Sequence, residues 1–180
     1  QANGSAFIEW LVNRFFTEFQ KEINEGTVKL FITTSSGPEN KKFEQVEKVT
    51  VFYGSDENIP LRQLQCATEH NITNIITIDG DDVLCSTAAA RQVFDKLKQD
   101  KPIVQTQGLP LGMNVTGYKT SLLKEALAQN NTTKLETGWG RIFDNLTIEY
   151  IKYQEHSDTQ MLRFTLDYEQ DADFFKKIIE

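Results

Sequence analysis

Cysteine and histidine are scarce in this chain, at two residues each among 180. Cys66 falls inside a predicted helix and Cys85 just beyond an acidic turn, with no Cys-x-x-Cys spacing, so the pair reads as reduced thiols in a cytoplasmic protein. His70 and His156 have no partner motif and are assigned no catalytic role. No apolar window approaches the roughly 18 residues of a membrane-spanning helix, and the amino end lacks the charged-then-apolar layout of a signal peptide. Neither insertion nor export is expected. Nineteen Lys and Arg face 26 Asp and Glu, a net charge of −7, and form no basic run. That argues against a nucleic-acid duplex as partner, because phosphate contacts need clustered cations. Asn-x-Ser/Thr triplets at Asn3, Asn71, Asn114, Asn130, Asn131 and Asn145 reflect an Asn- and Thr-rich composition in a chain without an export signal. Repeats and low-complexity linkers are also missing, so residues 1–180 read as one domain burying roughly 70% of its unfolded surface.

What is present alternates. Phe7, Ile8, Leu11, Val12, Phe15, Phe16 and Phe19 recur at helical spacing and predict an amphipathic helix over about residues 6 to 24, ending near Gly26. VKLFITT (Val28 to Thr34) and KVTVFYG (Lys48 to Gly54) read as strands, and PLRQLQCATEH as a helix with Pro60 in its first turn. NIITID is a third strand, followed by the helix STAAARQVFDKLKQ. Pro102 to Thr106 is a short strand, TSLLKEALAQ a helix, and MLRFTLD (Met161 to Asp167) a late strand before a final helix carrying Phe174, Phe175, Ile178 and Ile179. This alternation implies an α/β domain with a mostly parallel central sheet. Ligands then bind at the carboxyl ends of the strands, where Asp81 and Asp167 fall.

The stretch IITIDGDDVLCSTAA carries the most chemistry. Asp79, Asp81 and Asp82 crowd three carboxylates at the end of a buried strand, a costly arrangement unless a cation shares them. A Mg²⁺ site is one reading. An acidic strand-to-helix turn with Ser86 as N-cap is the other.

The ordered segments FIEWLVNR, LFITTS, VFYGSDENIPLRQLQCATEH, IDGDDVL, GLPLGMNVTGYKTSLLKEAL and LRFTLDYEQDADFFKKI resemble the cytidylyltransferases of surface-sugar biosynthesis. The spore-coat-polysaccharide type is the nearest branch, with the acylneuraminate and 3-deoxy-manno-octulosonate cytidylyltransferases as relatives. The resemblance covers nearly the whole chain and is most specific where GS-(x)₆-R, GDD-x-L and LT-x-D-x-x-x-D occur together. It implies a GT-A-like, three-layer α/β/α nucleotidyltransferase that joins a nucleoside triphosphate, CTP, to a sugar and releases pyrophosphate. It further implies Asp81 and Asp167 as catalytic residues holding Mg²⁺, and Gly54, Ser55, Arg62 and Gly80 as nucleotide-binding residues. Lys119, Arg141 and Arg163 are further candidates for phosphate or acceptor contacts, though solvated surface is the better reading of each. Asp171, after a lost proline, reads as an acid at a helix N-terminus. Relatives are often dimers, so a homodimer is also implied.

Three departures qualify the resemblance. Family members open with a strand and a Gly/Arg/Lys-rich nucleotide-binding loop, and QANGSAFIEWL begins at the helix after it. Asn114 and Thr116 stand where the spore-coat branch often has acids, and Asp82-Val83 where Cys-Pro is usual. A non-catalytic relative binding nucleotide, sugar or protein is therefore a second reading. A third is a GT-A glycosyltransferase with Asp79-Gly80-Asp81 as its metal motif.

Overall fold

The computed structural model describes residues 4–130, 132–154 and 162–179. At the first helix, α1 (Phe7–Glu18), the Glu9 carboxylate accepts from the Ala6 N–H at 2.7 Å and occupies a donor the helix cannot. The helical path breaks at Phe19 and resumes as α2 (Gln20–Asn24), so the one helix predicted over residues 6 to 24 is two. Next come β1 (Phe31–Thr34), a 3₁₀ helix (Pro38–Gln45) and β2 (Thr50–Tyr53). α3 (Ile59–Glu69) starts where Asn58 Oδ1 accepts from the Leu61 N–H at 2.9 Å, and β3 (Asn74–Thr77) follows. α4 (Thr87–Lys98) is capped by Ser86, whose hydroxyl accepts from the Ala89 N–H. The remainder is β4 (Ile103–Gln107), β5 (Thr116–Lys119), α5 (Thr120–Gln129), a second 3₁₀ helix (Trp139–Phe143), β6 (Glu149–Lys152) and α6 (Glu169–Ile179). No helix among the described residues is long and apolar enough to cross a membrane.

The sheet departs from the sequence reading in three ways. β1 and β2 pair in parallel as a separate sheet, and the other four strands run in the order β3-β5-β4-β6. Only β4–β6 is parallel in that second sheet; β3–β5 and β4–β5 are antiparallel. The mostly parallel sheet is thus half antiparallel, because β4 reaches β5 through residues 108–115 without the helix a parallel return needs. Among the described residues no ladder joins β1, the VKLFITT strand, to β3. The late strand is reduced to an isolated bridge between Leu111 and Arg163, and its first residue, Met161, lies outside the described residues, as does His156.

Ile103 and Val104 are neighbours in β4 and so face opposite sides of the sheet, each into its own core. On the Val104 side, Leu11, Phe15 and Phe19 pack against Ala89, Ala90, Val93 and Leu97 of α4. A Cβ on Gly117 would meet Val93 Cγ1 at 2.6 Å, so β5 touches α4 with no intervening side chain. Arg91 fastens α4 to the first helices, donating to Glu18 Oε1 at 3.0 Å and Glu22 Oε1 at 2.6 Å with its guanidinium 4.2 Å from the Phe19 ring. On the Ile103 side, Tyr118, Leu123, Ala126 and Phe143 form the second core. Tyr118 is fully buried and donates to Gln63 Oε1 at 2.5 Å, and Gln63 Nε2 donates to Thr77 Oγ1 at 2.9 Å. Truncating the buried ring of Phe15 to alanine should cost about 3–5 kcal/mol, read as a lower urea midpoint at unchanged slope.

Candidate functional site

The acidic tip is a tight turn at the carboxyl end of β3. Asp82 N–H donates to Asp79 O at 3.0 Å, Val83 N–H to Asp81 O and Cys85 N–H to Asp82 O, both at 2.9 Å. Helix α1 steadies it: Arg14 Nη1 donates to Val83 O at 3.0 Å, and a Cβ on Gly80 would lie 3.9 Å from Ile8 Cδ1. Ser86 N–H then donates to Met113 O at 3.2 Å, tying the tip to the loop over residues 108–115.

The late segment docks on the same edge. Phe164 N–H donates to Leu111 O at 2.8 Å and Leu166 N–H to Asp81 O at 2.9 Å. These bonds place Asp167 beside the tip although 86 positions separate it from Asp81 in the numbering. Gly112 is the junction. Its φ is +86°, and a Cβ there would meet Phe164 O at 2.5 Å and Asp82 Oδ1 at 3.1 Å, so only glycine lets the three segments meet. Arg163 braces the segment, with Nη2 donating to both Asp171 oxygens at 2.7 and 2.8 Å and Nη1 to Thr165 Oγ1 and Asp167. Asp171 Oδ2 also accepts the Asp167 and Tyr168 N–H groups at 2.9 Å, the role of an acid at the start of α6. The Arg163 guanidinium holds the Asp171 carboxyl below its ordinary range.

Charge is poorly balanced at the tip. Burial first, then Asp81, Asp79 and Asp167, push the Asp82 carboxyl up to about 7. Burial and then Asp81 raise Asp79, while the Trp139 indole opposes that shift as a hydrogen-bond donor. Among the described residues no group of three or more His, Cys, Asp or Glu is arranged to hold a metal. The donor set is Asp79, Asp81 and Asp82, which no described cation pairs, together with Asp167, which Arg163 pairs, without a closed cage. It fits a Mg²⁺ ion that keeps waters and takes further ligands from a phosphate chain, because that ion needs only one or two protein carboxylates.

Gly54, Ser55 and Arg62 form a second group. Arg62 donates through Nε to Ser55 O at 2.8 Å and through Nη2 to Asp56 O at 3.0 Å, holding the loop after β2. Gln65 Oε1 accepts the Ser55 N–H at 2.8 Å, and a Cβ on Gly54 would fall 2.8 Å from Arg62 Cγ. A shallow groove over this loop is lined by Ser36, Tyr53, Gly54, Ser55, Leu64 and Gln65 and includes neither Asp81 nor Asp167. The strand-like segment at Leu135 joins the two groups: Leu135 exchanges backbone bonds with Glu57 and Ile59 at 2.8 and 3.0 Å, and Trp139 follows four residues later at Asp79. Lys119 pairs with Asp100 and stands opposite Asn74, at the far end of β3 from the tip, so it is not a phosphate contact at that edge. Arg141 is exposed in the second 3₁₀ helix. Arg163 is engaged with carboxylates. Asn114 braces the loop by donating to Leu109 O at 2.9 Å, and Thr116 lies within β5. Cys85 is buried, and burial pushes its thiol up to about 12. Sequence reasoning missed Gly112 and Trp139, whose importance depends on contacts with remote segments.

Solved proteins share this architecture. A cytidylyltransferase from Leptospira borgpetersenii superposes with a TM-score of 0.80 at 17% identity, covering 98% of this chain and 76% of its own. The fold is that of the cytidylyltransferases. A CMP:2-keto-3-deoxy-manno-octonic acid synthetase complexed with CTP gives 0.72 at 9% identity over 99% of this chain and 89% of its own. The 2-C-methyl-D-erythritol 4-phosphate cytidylyltransferase from Thermus thermophilus gives 0.63 at 12% identity over 99% and 91%. No family model and no curated protein matches the chain by sequence.

The raised Asp82 carboxyl sets a pH dependence with a definite sign. The folded chain binds this proton more tightly than the unfolded chain does, so the stability it contributes is complete below about pH 4 and is lost as pH rises toward 7. In metal-free buffer Asp82→Asn should flatten the fall in melting temperature between pH 4 and 7 and raise it at pH 8 by several degrees, at about 2–4 °C per kcal/mol. An unchanged profile in differential scanning calorimetry would refute the burial of that carboxyl.

Proposed function

We propose that the chain is a Mg²⁺-dependent nucleotidyltransferase that joins CTP to a sugar and releases pyrophosphate, within cell-surface polysaccharide or glycan synthesis. The observation that carries the reading is the docking of the late segment by the Leu166–Asp81 bond, which brings Asp81 and Asp167 to one edge of a cytidylyltransferase-like fold. Asp81 and Asp167 would hold the ion. When bound, it supplies charge neutralisation for the triphosphate and orients the α-phosphorus for in-line attack. The chain's own residues do the rest. The sugar oxygen attacks the α-phosphorus, and the α–β oxygen leaves with pyrophosphate. Asp82, pushed toward neutrality by burial and then by its acidic neighbours, gives the incoming triphosphate less repulsion than a third full charge would. Arg163 keeps the Asp167 segment in place through Asp171. Arg62 and the loop at Gly54 and Ser55 offer the other wall for the nucleotide.

A second reading, a nucleotide- or sugar-binding relative without turnover, is supported by the pairing of Asp167 with Arg163, since a carboxylate already neutralised is a weaker cation ligand. Thermal shifts with CTP, ATP, GTP and UTP, with and without Mg²⁺, test nucleotide binding. CTP at 100 times its Kd should stabilise by about 2.7 kcal/mol. Asp81→Asn should abolish the Mg²⁺-dependent part of that shift. Equal shifts for all four nucleotides that persist in EDTA would sink the site. A coupled pyrophosphate assay with CTP and an acidic sugar separates enzyme from binder.

A further inference from the structure

β2 is bonded along one side. In its parallel ladder with β1, Leu30 O accepts the Thr50 N–H and Thr34 O the Gly54 N–H, each at 3.0 Å. Alternate residues of a strand turn their backbone groups to opposite sides, so Thr50, Phe52 and Gly54 face β1 while Val51 and Tyr53 each aim an N–H and a C=O the other way. Among the described residues no strand pairs with that side. The next outward donor, the Ser55 N–H, is taken by Gln65 Oε1 at 2.8 Å, and Arg62 occupies Ser55 O. Two donors and two acceptors are left open in a row. Thr50–Tyr53 also carries none of the charges or prolines that blunt an exposed edge.

Side chains and charge frame the open stretch. Phe52 and Gly54 share the face turned to α3, since a Cβ on Gly54 would meet Arg62 Cγ and Gln65 Oε1 at 2.8 Å and Phe52 Cε1 at 2.9 Å. The shallow groove runs beside them, between Phe52 and Tyr53 on one wall and Leu61, Leu64 and Gln65 of α3 on the other. Lys48 lies four positions before Phe52 and Asp56 four after it, and both are exposed. Neither enters a salt bridge among the described residues: Lys48 Nζ donates to the neutral Asn13 Oδ1 at 2.8 Å, and Asp56 Oδ1 accepts the N–H and the hydroxyl of Ser36. One position further out stand Glu47 and Glu57, and Lys134 already pairs with Glu57 at 3.0 Å.

We propose that the free edge of β2 is an isologous interface, on which a second copy of this chain lays its own β2 antiparallel about a two-fold axis between the two Phe52 residues. The pattern is self-complementary. With Phe52 opposite the partner's Phe52, Val51 stands opposite the partner's Tyr53 and Tyr53 opposite the partner's Val51, and each of these two pairs exchanges two bonds. Every open donor and acceptor is then used. The two Phe52 side chains fall on one face at a Cα separation of about 4.5 Å, where the grooves of the two copies meet. The same axis sets Lys48 against the partner's Asp56 at both ends of the pair. Register is fixed as well: a slip of one residue opposes outward groups to inward ones, and a slip of two toward Ser55 meets a donor that Gln65 has taken. An unrelated strand could satisfy the backbone, but this sequence alone supplies the backbone, the ring and both charges in one register. The resemblance implies a homodimer without naming a face, and the edge of β2 supplies the face. The interface is independent of nucleotide turnover.

Sedimentation equilibrium of the 180-residue chain tests it, at low salt where exposed charges are least screened and from about 1 to about 500 μM protein. The average mass should rise from that of one chain toward that of two. Val51→Pro removes an outward N–H without touching the ladder to β1, and should weaken association about 100-fold. Lys48→Glu and Asp56→Lys each turn both cross-axis pairs into like charges and should weaken it about 10-fold. An equimolar mixture of those two variants should associate as tightly as the parent chain, because each then meets its opposite. Should Val51→Pro fail to fold, the two charge variants, at exposed positions, carry the test alone. Three results would overturn the proposal: the mass of one chain at every concentration, an association that none of the three substitutions weakens, or a mixture no tighter than either charge variant by itself.

Discussion

Asp79, Asp81, Asp82 and Asp167 gather at one edge of the sheet against their mutual repulsion, and what holds them there is backbone hydrogen bonding. Leu166 N–H to Asp81 O and Phe164 N–H to Leu111 O are not weakened by side-chain charge. They work because Gly112 leaves space for Phe164 O where any Cβ would collide. Burial, and after it the assembly of like charges, shows in Asp82, which gives up much of its acidity. An edge built this way is prepared for positive charge and costs the fold stability without it.

The two cores explain how so thin an edge is kept in register. α4 packs on β5 through Gly117 and on α1 through Ala89 and Ala90, so the turn from β3 into α4 has little freedom to shift. Arg14 joins α1 to that turn at Val83, and Arg91 joins α4 to α1 and α2. On the other face the Tyr118–Gln63–Thr77 chain fixes the last residue of β3 against α3. The carboxylates inherit their positions from these contacts.

Much of this was legible in the residues. The aromatic stripe of α1, the cap at Ser86 and the acidic strand end are local patterns, and local patterns survive folding. The acidic-turn reading of the tip holds, with Ser86 capping α4, and the three acids do crowd together there. The strand directions were not legible. β5 and β6 span four residues each and carry little alternation, and whether β4 returns antiparallel depends on a loop with no helical signal. Nor does a sequence show that Arg62 spends its donors on Ser55 and Asp56, or that Arg163 closes on Asp167 and Asp171. Those pairings close over four to eight positions where a loop meets a helix, and no regular period there fixes which side chains meet.

The chain has two tryptophans, one at the acidic turn and one a single side chain away from it. Trp139 offers its indole to Asp79, and Trp10 lies under Arg14, whose guanidinium also reaches Val83 O. Nearly all of the molecule's ultraviolet emission therefore originates on the two flanks of one small region. Its colour and intensity carry information on the ionic state of that region, so the unlabelled protein contains its own optical probe of whatever settles there.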